Sequence, residues 1–217
     1  KKLNNLQIRD RLTRAFIMVA VILTMVSAVV LVTMIAMSRI YASTIVDYGF
    51  AQGDIGRAMS QFADSRSAMR GIIGYDEPDA IQKILSDHET YKSEFIKEFD
   101  NLESSMITQE NKTLYKDIED QLDDYWAFEQ EIIDQGATTD REQCKLAQDK
   151  ALNELAPMYN SIYDDLTQIM EIKVHKGQEM SNMLTTIIVV LTVVIIIIIT
   201  GSIIFALTLG KGIANSI

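Results

Sequence analysis

The stretch "FADSRSAMRGIIGYDEPD", residues 62–79, contains both the end of one helix and the start of the next. Glycine is favoured just after a helix and proline in its first turn, so Gly74 and Pro78 predict a tight reversal of the chain. Before that reversal, Arg66 and Arg70 stand one helical turn apart among apolar and small residues. The stretch therefore predicts two antiparallel helices, the first of which carries a pair of cations that needs a partner.

Two further breaks divide the middle of the chain. "SSMITQEN", residues 104–111, offers Ser and Thr as helix caps, and "DQGATTDRE", residues 134–142, offers Gly136 as a stop followed by Thr138, Thr139 or Asp140 as a cap. The breaks predict four helices of about 35, 27, 26 and 40 residues. We expect an all-α fold, an antiparallel up-down four-helix bundle.

The apolar residues in each predicted helix recur at spacings of three and four, which gives one buried stripe per helix. The stripe residues are Ile55, Phe62 and Met69 in the first helix, Ile81, Leu85, His88, Phe95 and Leu102 in the second, Leu114, Ile118, Leu122, Tyr125 and Ile132 in the third, and Leu155, Ile162, Leu166 and Ile169 in the fourth. Small residues on the flank of the first helix, Ala51, Ala58 and Ser65, predict a contact with a second copy of the chain.

Two long runs without a charged side chain flank the bundle. They are "AFIMVAVILTMVSAVVLVTMIAMS", residues 15–38, and "MSNMLTTIIVVLTVVIIIIITGSIIFALTLG", residues 180–210. A bilayer core needs roughly 20 apolar residues in a helix, so both runs can cross it. We expect transmembrane helices at 15–38 and 182–209, with the lipid bilayer as a partner, and no cleaved signal peptide.

Charge sets the expected orientation. Residues 1–14 form a basic tail with five Lys or Arg and one Asp, and Lys and Arg are retained on the cytoplasmic side. Both termini should then be cytoplasmic, and residues 39–181 should form the sensor domain outside the cell membrane. Residues 39–179 contain 14 basic and 29 acidic residues, a net charge of −15. The single cysteine, Cys144, cannot form an internal disulfide, so this domain must be stabilised by packing.

The sequence offers little for catalysis. His88 and His175 lack neighbouring Cys or carboxylate residues at metal-ligand spacing, and no phosphate-binding glycine loop or nucleophile with a base is present. We expect no enzyme activity, no cofactor, no metal and no nucleic-acid partner.

This layout resembles the N-terminal half of a methyl-accepting chemotaxis protein of the four-helix-bundle type. "TLGKGIANSI", residues 208–217, resembles the segment that leads into a HAMP domain, and we assign 210–217 to its start. The resemblance implies a homodimeric chemotaxis receptor that transmits a helix shift to cytoplasmic kinase-coupling machinery through a C-terminal half that this sequence lacks. Similar bundles also precede histidine kinases and other HAMP-linked proteins, so these remain the alternative. A structural membrane bundle without a ligand is a third hypothesis.

The two arginines have two competing interpretations. Because helices one and four run antiparallel, facing residue numbers should sum to roughly 220, which places Arg66 opposite Glu154 and Asp47 opposite Lys173. Arg66 and Glu154 could simply form an ion pair. Alternatively, Arg66 and Arg70 bind a small anion such as an amino or organic acid, as the resemblance implies, because guanidinium groups suit carboxylates. Pro157 would open the fourth helix nearby and free the Asn153 carbonyl, so the candidate ligand-binding residues are Arg66, Arg70, Asn153 and Glu154.

Overall fold

A computed structural model describes residues 8–214 of the chain, so the predicted tail residues 1–7 and linker residues 215–217 lie outside it. The described residues contain no strand. The helices are α1 (Ile8–Thr44), α2 (Ala51–Ile72), α3 (Pro78–Leu102), α4 (Gln109–Gly136), α5 (Arg141–Lys150) and α6 (Ala156–Ala214). A π-helical turn, Ile45–Phe50, joins α1 to α2, and a second, Ala151–Leu155, joins α5 to α6. The fold is all-α, as predicted.

The predicted breaks coincide with the helix ends. Pro78 is the first residue of α3, where its missing N–H leaves no hydrogen bond unmade. Thr108 caps α4 by accepting a hydrogen bond from the Asn111 N–H, and Asp140 caps α5 by accepting from the N–H groups of Glu142 and Gln143. Gly136 is the last residue of α4. Local capping chemistry was therefore sufficient to locate the three turns of the bundle.

The chain forms two compact units, and one of them is the bundle, Thr44–Gln178. The other contains the two apolar runs, in α1 and in the later part of α6, and both helices are long and apolar enough to cross a membrane. Large apolar side chains in these runs are exposed, such as Val32 at 69% and Ile197 at 64%. Exposure of this kind is unfavourable in water and is what a helix surrounded by lipid requires.

An aromatic layer connects α2, α3, α4 and α6. Phe62 of α2 is fully buried, and its ring centroid lies 4.9 Å from Phe95 of α3 and 4.7 Å from Tyr159 of α6. From α4, the rings of Tyr125 and Trp126 lie 5.1 and 5.8 Å from it. Aromatic pairs at these separations are favourable beyond the area they bury. This layer fixes the register of the bundle near its middle.

The predicted apolar stripes form the core. The stripe residues named above are buried, including His88, except for Leu85 and Leu114, which are partly buried and pack against the core. The prediction for the flank of α2 was wrong, because Ala51, Ala58 and Ser65 are themselves buried inside the bundle at 1%, 0% and 0% exposure. Since they pack against the other helices of the same chain, they are not available to a second copy. The small residues exposed on α2 are instead Gly53, Ser60 and Ser67.

Candidate functional site

Arg66 and Arg70 of α2 line one groove on the surface of the bundle. Arg66 is half-buried and Arg70 is exposed. The groove has a volume of about 350 Å³ and lies between α2 and the segment that joins α5 to α6. Its other lining residues are Met69, Ile73, Gln148, Ala151, Leu152, Leu155 and Ala156. The structure thus brings the two predicted arginines together at a concave surface with an apolar floor.

The guanidinium of Arg66 is held by an aromatic ring. Its central carbon lies 4.0 Å from the ring centroid of Tyr159, and that ring stacks on the buried Phe62 with an interplanar angle of 10°. Burial raises the pKa of the Tyr159 phenol, and the positive charge of Arg66 opposes that increase. Stacking occupies a face of the guanidinium, so it orients the planar group while leaving N–H groups at its edge for an anion.

Neither arginine has a carboxylate partner in the part of the chain that the structure describes. The ion pairs there include Arg57 with Glu98 and Arg141 with Asp76, but none that involves Arg66 or Arg70. Two guanidinium charges therefore stand close together without a neutralising acid. An anion that entered the groove would find both charges available.

The predicted ion pair between Arg66 and Glu154 is absent from these contacts, and Glu154 is exposed. The antiparallel register predicted the level of the facing residues along the bundle axis. It did not predict which side of the helix each residue lies on. Leu155 and Tyr159 are buried at 1% and 7% exposure, and a residue adjacent to Leu155 points about 100° away from it on a helix. Glu154 accordingly faces outward, while Tyr159 takes the place opposite Arg66.

Asn153 also lies outside the groove. It is exposed, and its side-chain amide donates a hydrogen bond to the carbonyl of Asp149 at 2.9 Å. Of the four predicted ligand-binding residues, the structure brings together Arg66 and Arg70 and separates them from Asn153 and Glu154.

The effect expected from Pro157 is present as a π-helical turn directly before it. The N–H of Ala156 donates to the carbonyl of Ala151, five residues back, and Pro157 has no N–H to continue the usual pattern. Ala151, Leu152 and Leu155 of this turn line the groove. Turns of this kind are frequent at functional sites, and here the irregular backbone is placed beside the two arginines.

Sequence reasoning missed two residues of the site. Tyr159 could have been found, since it follows Leu155 by four residues on the predicted stripe and is the aromatic residue nearest Arg66 in the register. Gln148 had no such signal. Its side-chain amide donates to the carbonyl of Ile73 at 2.7 Å, which ties α5 to the end of α2 at one side of the groove.

A second polar cluster lies inside the bundle. His88 Nε2 lies 3.0 Å from Glu129 Oε2, and the hydroxyl of Tyr125 donates to Glu129 Oε1 at 3.1 Å. His88 and Glu129 are both 1% exposed. Sequence spacing around His88 did not indicate this carboxylate, because α4 supplies it from a distant part of the sequence. Among the described residues, no three His, Cys, Asp or Glu side chains are grouped so that they could hold a metal ion.

Comparison with known proteins agrees with the architecture. The model of the family described as a four helix bundle sensory module for signal transduction matches residues 5–187, most of the chain. No curated protein and no solved structure matches the chain. The all-α bundle, its flanking apolar helices and this match together show that the chain belongs to the family of four-helix-bundle sensory modules for signal transduction.

Proposed function

We propose that this chain is the input half of a transmembrane chemoreceptor, in which the bundle senses a small anion outside the cell and α6 transmits the signal. The observation that carries the proposal is the pair of guanidinium groups, Arg66 and Arg70, that share a groove without a carboxylate partner among the described residues. A cation that is removed from water is normally paired, and the half-buried Arg66 has no carboxylate partner among the described residues. With the exposed Arg70 beside it in the groove, this concentration of positive charge in a strongly acidic domain favours an external anion.

The placement of the groove supports transmission through α6. Arg66 contacts Tyr159, which belongs to α6, and this same helix contains the second apolar run. An anion that shifts Arg66 would therefore change a contact made directly to α6. Helix shifts of only about 1–2 Å suffice to switch an interface that has two alternative packings.

We also propose that the receptor works as a homodimer in the membrane, with both termini cytoplasmic. Gly53, Ser60 and Ser67 repeat at intervals of seven on the exposed face of α2, and small residues let two helices approach closely. Ser60→Cys should then yield a disulfide-linked dimer in membranes on mild oxidation. Glu119→Cys, at an exposed position of α4, is the matched control and should remain monomeric. Equal dimer yields from both variants would contradict a contact through α2.

The sensing function can be tested in a chimaera. The chain is joined to the HAMP and kinase-control domains of a well-characterised chemoreceptor, and kinase activity in membranes is measured while standard amino acids and short organic acids are added. At least one of these anions should change kinase activity, and Arg66→Ala/Arg70→Ala should abolish that response. If no anion changes kinase activity in a chimaera that remains switchable by mutation of its HAMP domain, the proposed function is wrong. A response that survives in the double variant would leave the sensing role and reject the site.

A further inference from the structure

We infer that Arg66 and the buried pair of His88 and Glu129 form an electrostatic relay through the bundle, so that a change of charge in the groove reaches α3 and α4. The relay goes beyond the sensing proposed above, because it consists of this chain's own side chains and is present without a ligand. Its side chains are Arg66 and Phe62 of α2, Tyr159 of α6, Tyr125 and Glu129 of α4, and His88 of α3. Neither α3 nor α4 continues into an apolar run, so the relay is a route into the bundle interior that is separate from the contact of Arg66 with α6.

The first argument is a series of contacts that leads from the groove to the centre of the bundle. The guanidinium carbon of Arg66 lies 4.0 Å from the ring centroid of Tyr159, and this ring stacks on Phe62. The ring centroid of Phe62 lies 5.1 Å from that of Tyr125, which is fully buried. Close-packed side chains of this kind transmit displacement to one another. Arg66 is therefore connected, through two rings, to the residue that holds the buried carboxylate.

The second argument is the isolation of the Glu129 carboxylate from water. Glu129 is 1% exposed, and a buried carboxylate is unfavourable unless hydrogen bonds and positive charge compensate it. The Tyr125 hydroxyl donates to its Oε1 at 3.1 Å, and His88 Nε2 lies 3.0 Å from its Oε2. His88 Nδ1 has no hydrogen-bond partner among the described residues, and the exposed Glu89 lies 3.9 Å from it. Because Glu129 provides the hydrogen bond that orients the imidazole, a change in the electric field at Glu129 should alter the imidazole of His88.

The third argument is that the charge of Arg66 acts on this cluster. Burial and the negative charge of Glu129 raise the pKa of the Tyr125 phenol, and the positive charge of Arg66 opposes that increase. Arg66 is half-buried against a ring, where its charge is screened less than it would be in water. Arg70 lines the same groove one turn farther along α2, but it is exposed and its charge is screened by solvent. Of the two cations in the groove, Arg66 is thus the one whose charge acts on the interior.

The ring-nitrogen NMR signals of His88 test the relay without any ligand. The full chain is prepared in lipid nanodiscs with isotope-labelled histidine, and His175→Gln leaves His88 as the only histidine. Arg66→Met removes the charge and keeps an unbranched side chain, so it should move the His88 signals by several line widths. Arg66→Lys keeps the charge and should move them less than half as far. Arg70→Met, one turn away in the same groove, is the matched control and should leave the signals within one line width of wild type.

Two backgrounds locate the link inside the bundle. In Tyr125→Phe, which lacks the hydroxyl bound to Glu129, Arg66→Met should move the His88 signals less than half as far as in wild type. Thermal unfolding, followed by the fluorescence of Trp126, the only tryptophan, gives a second measurement. Arg66→Met should lower the unfolding midpoint by about 3 °C more in wild type than in Glu129→Gln, because the second background lacks the carboxylate that the arginine stabilises.

The outcomes separate the relay from the proposed function. His88 signals that do not move in Arg66→Met, or that move equally in Arg66→Lys, would overturn an electrostatic link. Equal movement in Arg70→Met, or additive effects of Arg66→Met and Glu129→Gln on the unfolding midpoint, would likewise reject the relay. Because no anion is added, these results would leave the sensing proposal in place, and a chimaera that responds to no anion would leave the relay in place.

Discussion

Lys173 and Asp47 meet inside the bundle through a backbone atom: the ammonium of Lys173 lies 3.0 Å from the carbonyl oxygen of Asp47 and also donates to the carbonyl of Ser105. The Lys173 side chain is fully buried. It thereby joins α6 to the π-helical turn Ile45–Phe50 and to the short turn after α3. Burial lowers the pKa of Lys173, and the charge of Asp47 only partly opposes this effect.

This relationship predicts a pH dependence of stability. A lysine whose pKa is lower in the folded state than in the unfolded state destabilises the fold while it is protonated. That penalty disappears as pH rises through the window between the lowered pKa and the ordinary value near 10.5. The free energy of unfolding of wild type relative to Lys173→Met should therefore increase with pH in this window. Urea unfolding in nanodiscs, followed by Trp126 fluorescence, measures the difference.

The comparison should extend to pH 10.5, the upper end of this window. Tyrosines in the unfolded chain ionise near pH 10, and burial raises the pKa of Tyr115 to about 12, so tyrosines reduce the stability of both proteins at the top of the window. Because the Lys173→Met variant contains the same tyrosines, the difference between the two proteins isolates Lys173. A difference that stays flat or falls from pH 7 to 10.5 would show that the buried ammonium is not penalised.

The arrangement around Arg66 predicts which residue stabilises the bundle. Glu154→Ala should change the free energy of unfolding by less than about 0.5 kcal/mol, because Glu154 is exposed and has no ion pair with Arg66. Tyr159→Ala should destabilise by about 3–5 kcal/mol, since it removes a buried ring that stacks on Phe62. Tyr159→Phe keeps the stack and should lie close to wild type. A large loss in Glu154→Ala would restore the ion-pair interpretation.

The contact of Lys173 with Asp47 and the contact of Arg66 with Tyr159 show what the sequence could and could not determine. The expectation that facing residue numbers sum to roughly 220 placed Lys173 and Asp47 at the same level along the bundle axis. It succeeded because helix rise is uniform over a straight helix. It failed for Arg66, because direction around the helix depends on the buried stripe of Leu155 and Tyr159. It also gave no indication that Lys173 would contact Asp47 through the backbone carbonyl.

Breaks, caps and stripes were predictable because they depend on residues close together in sequence. The groove was not predictable, since it combines the end of α2 with a π-helical turn about eighty positions later in the chain. Pro157 indicated an opening there, but nothing local showed which side chains would surround it. The His88–Glu129 contact was missed for the same reason, because 41 residues separate its partners.

The buried cluster gives a further prediction. Glu129→Leu leaves the buried polar atoms of His88 and Tyr125 without their partner, and each such group costs about 1–3 kcal/mol. Thermal unfolding should show a large loss in Glu129→Leu. Adding His88→Leu should recover part of that loss, because replacing both partners by apolar groups removes the unpaired atom. Glu119→Leu, at an exposed position of the same helix, is the control and should be nearly neutral.

Gly136 should be required by close packing at the end of α4. A Cβ atom there would lie 2.5 Å from Ile73 Cγ2 and 2.8 Å from Ala147 Cβ. Gly136→Ala should therefore destabilise by about 1–3 kcal/mol through overpacking. Gly56 is the matched control, since its added Cβ would meet only the flexible end of Met170 at 3.8 Å. Gly56→Ala should stabilise α2 by about 0.5–1 kcal/mol, and equal effects at both positions would contradict the packing argument.

The last prediction concerns orientation in the membrane. Five of the first 14 residues are Lys or Arg, and such clusters are retained on the cytoplasmic side. With two helices long enough to cross the bilayer, both termini should be inside and the turn between α4 and α5 outside. Single cysteines are introduced by Asn5→Cys, Asn215→Cys or Thr139→Cys in a Cys144→Ala background, because Cys144 is the only natural cysteine. Thr139 is exposed in that turn.

In intact cells, an impermeant maleimide should label Thr139→Cys and leave Asn5→Cys and Asn215→Cys unlabelled. Permeabilisation should then make both terminal cysteines reactive, which shows that they are accessible and merely protected by the bilayer. Labelling of both terminal cysteines in intact cells, with Thr139→Cys protected, would reverse the orientation and place the groove of Arg66 and Arg70 in the cytoplasm. Labelling of Asn215→Cys but not of Asn5→Cys would mean that α6 does not cross the membrane, and α6 could then not transmit as proposed.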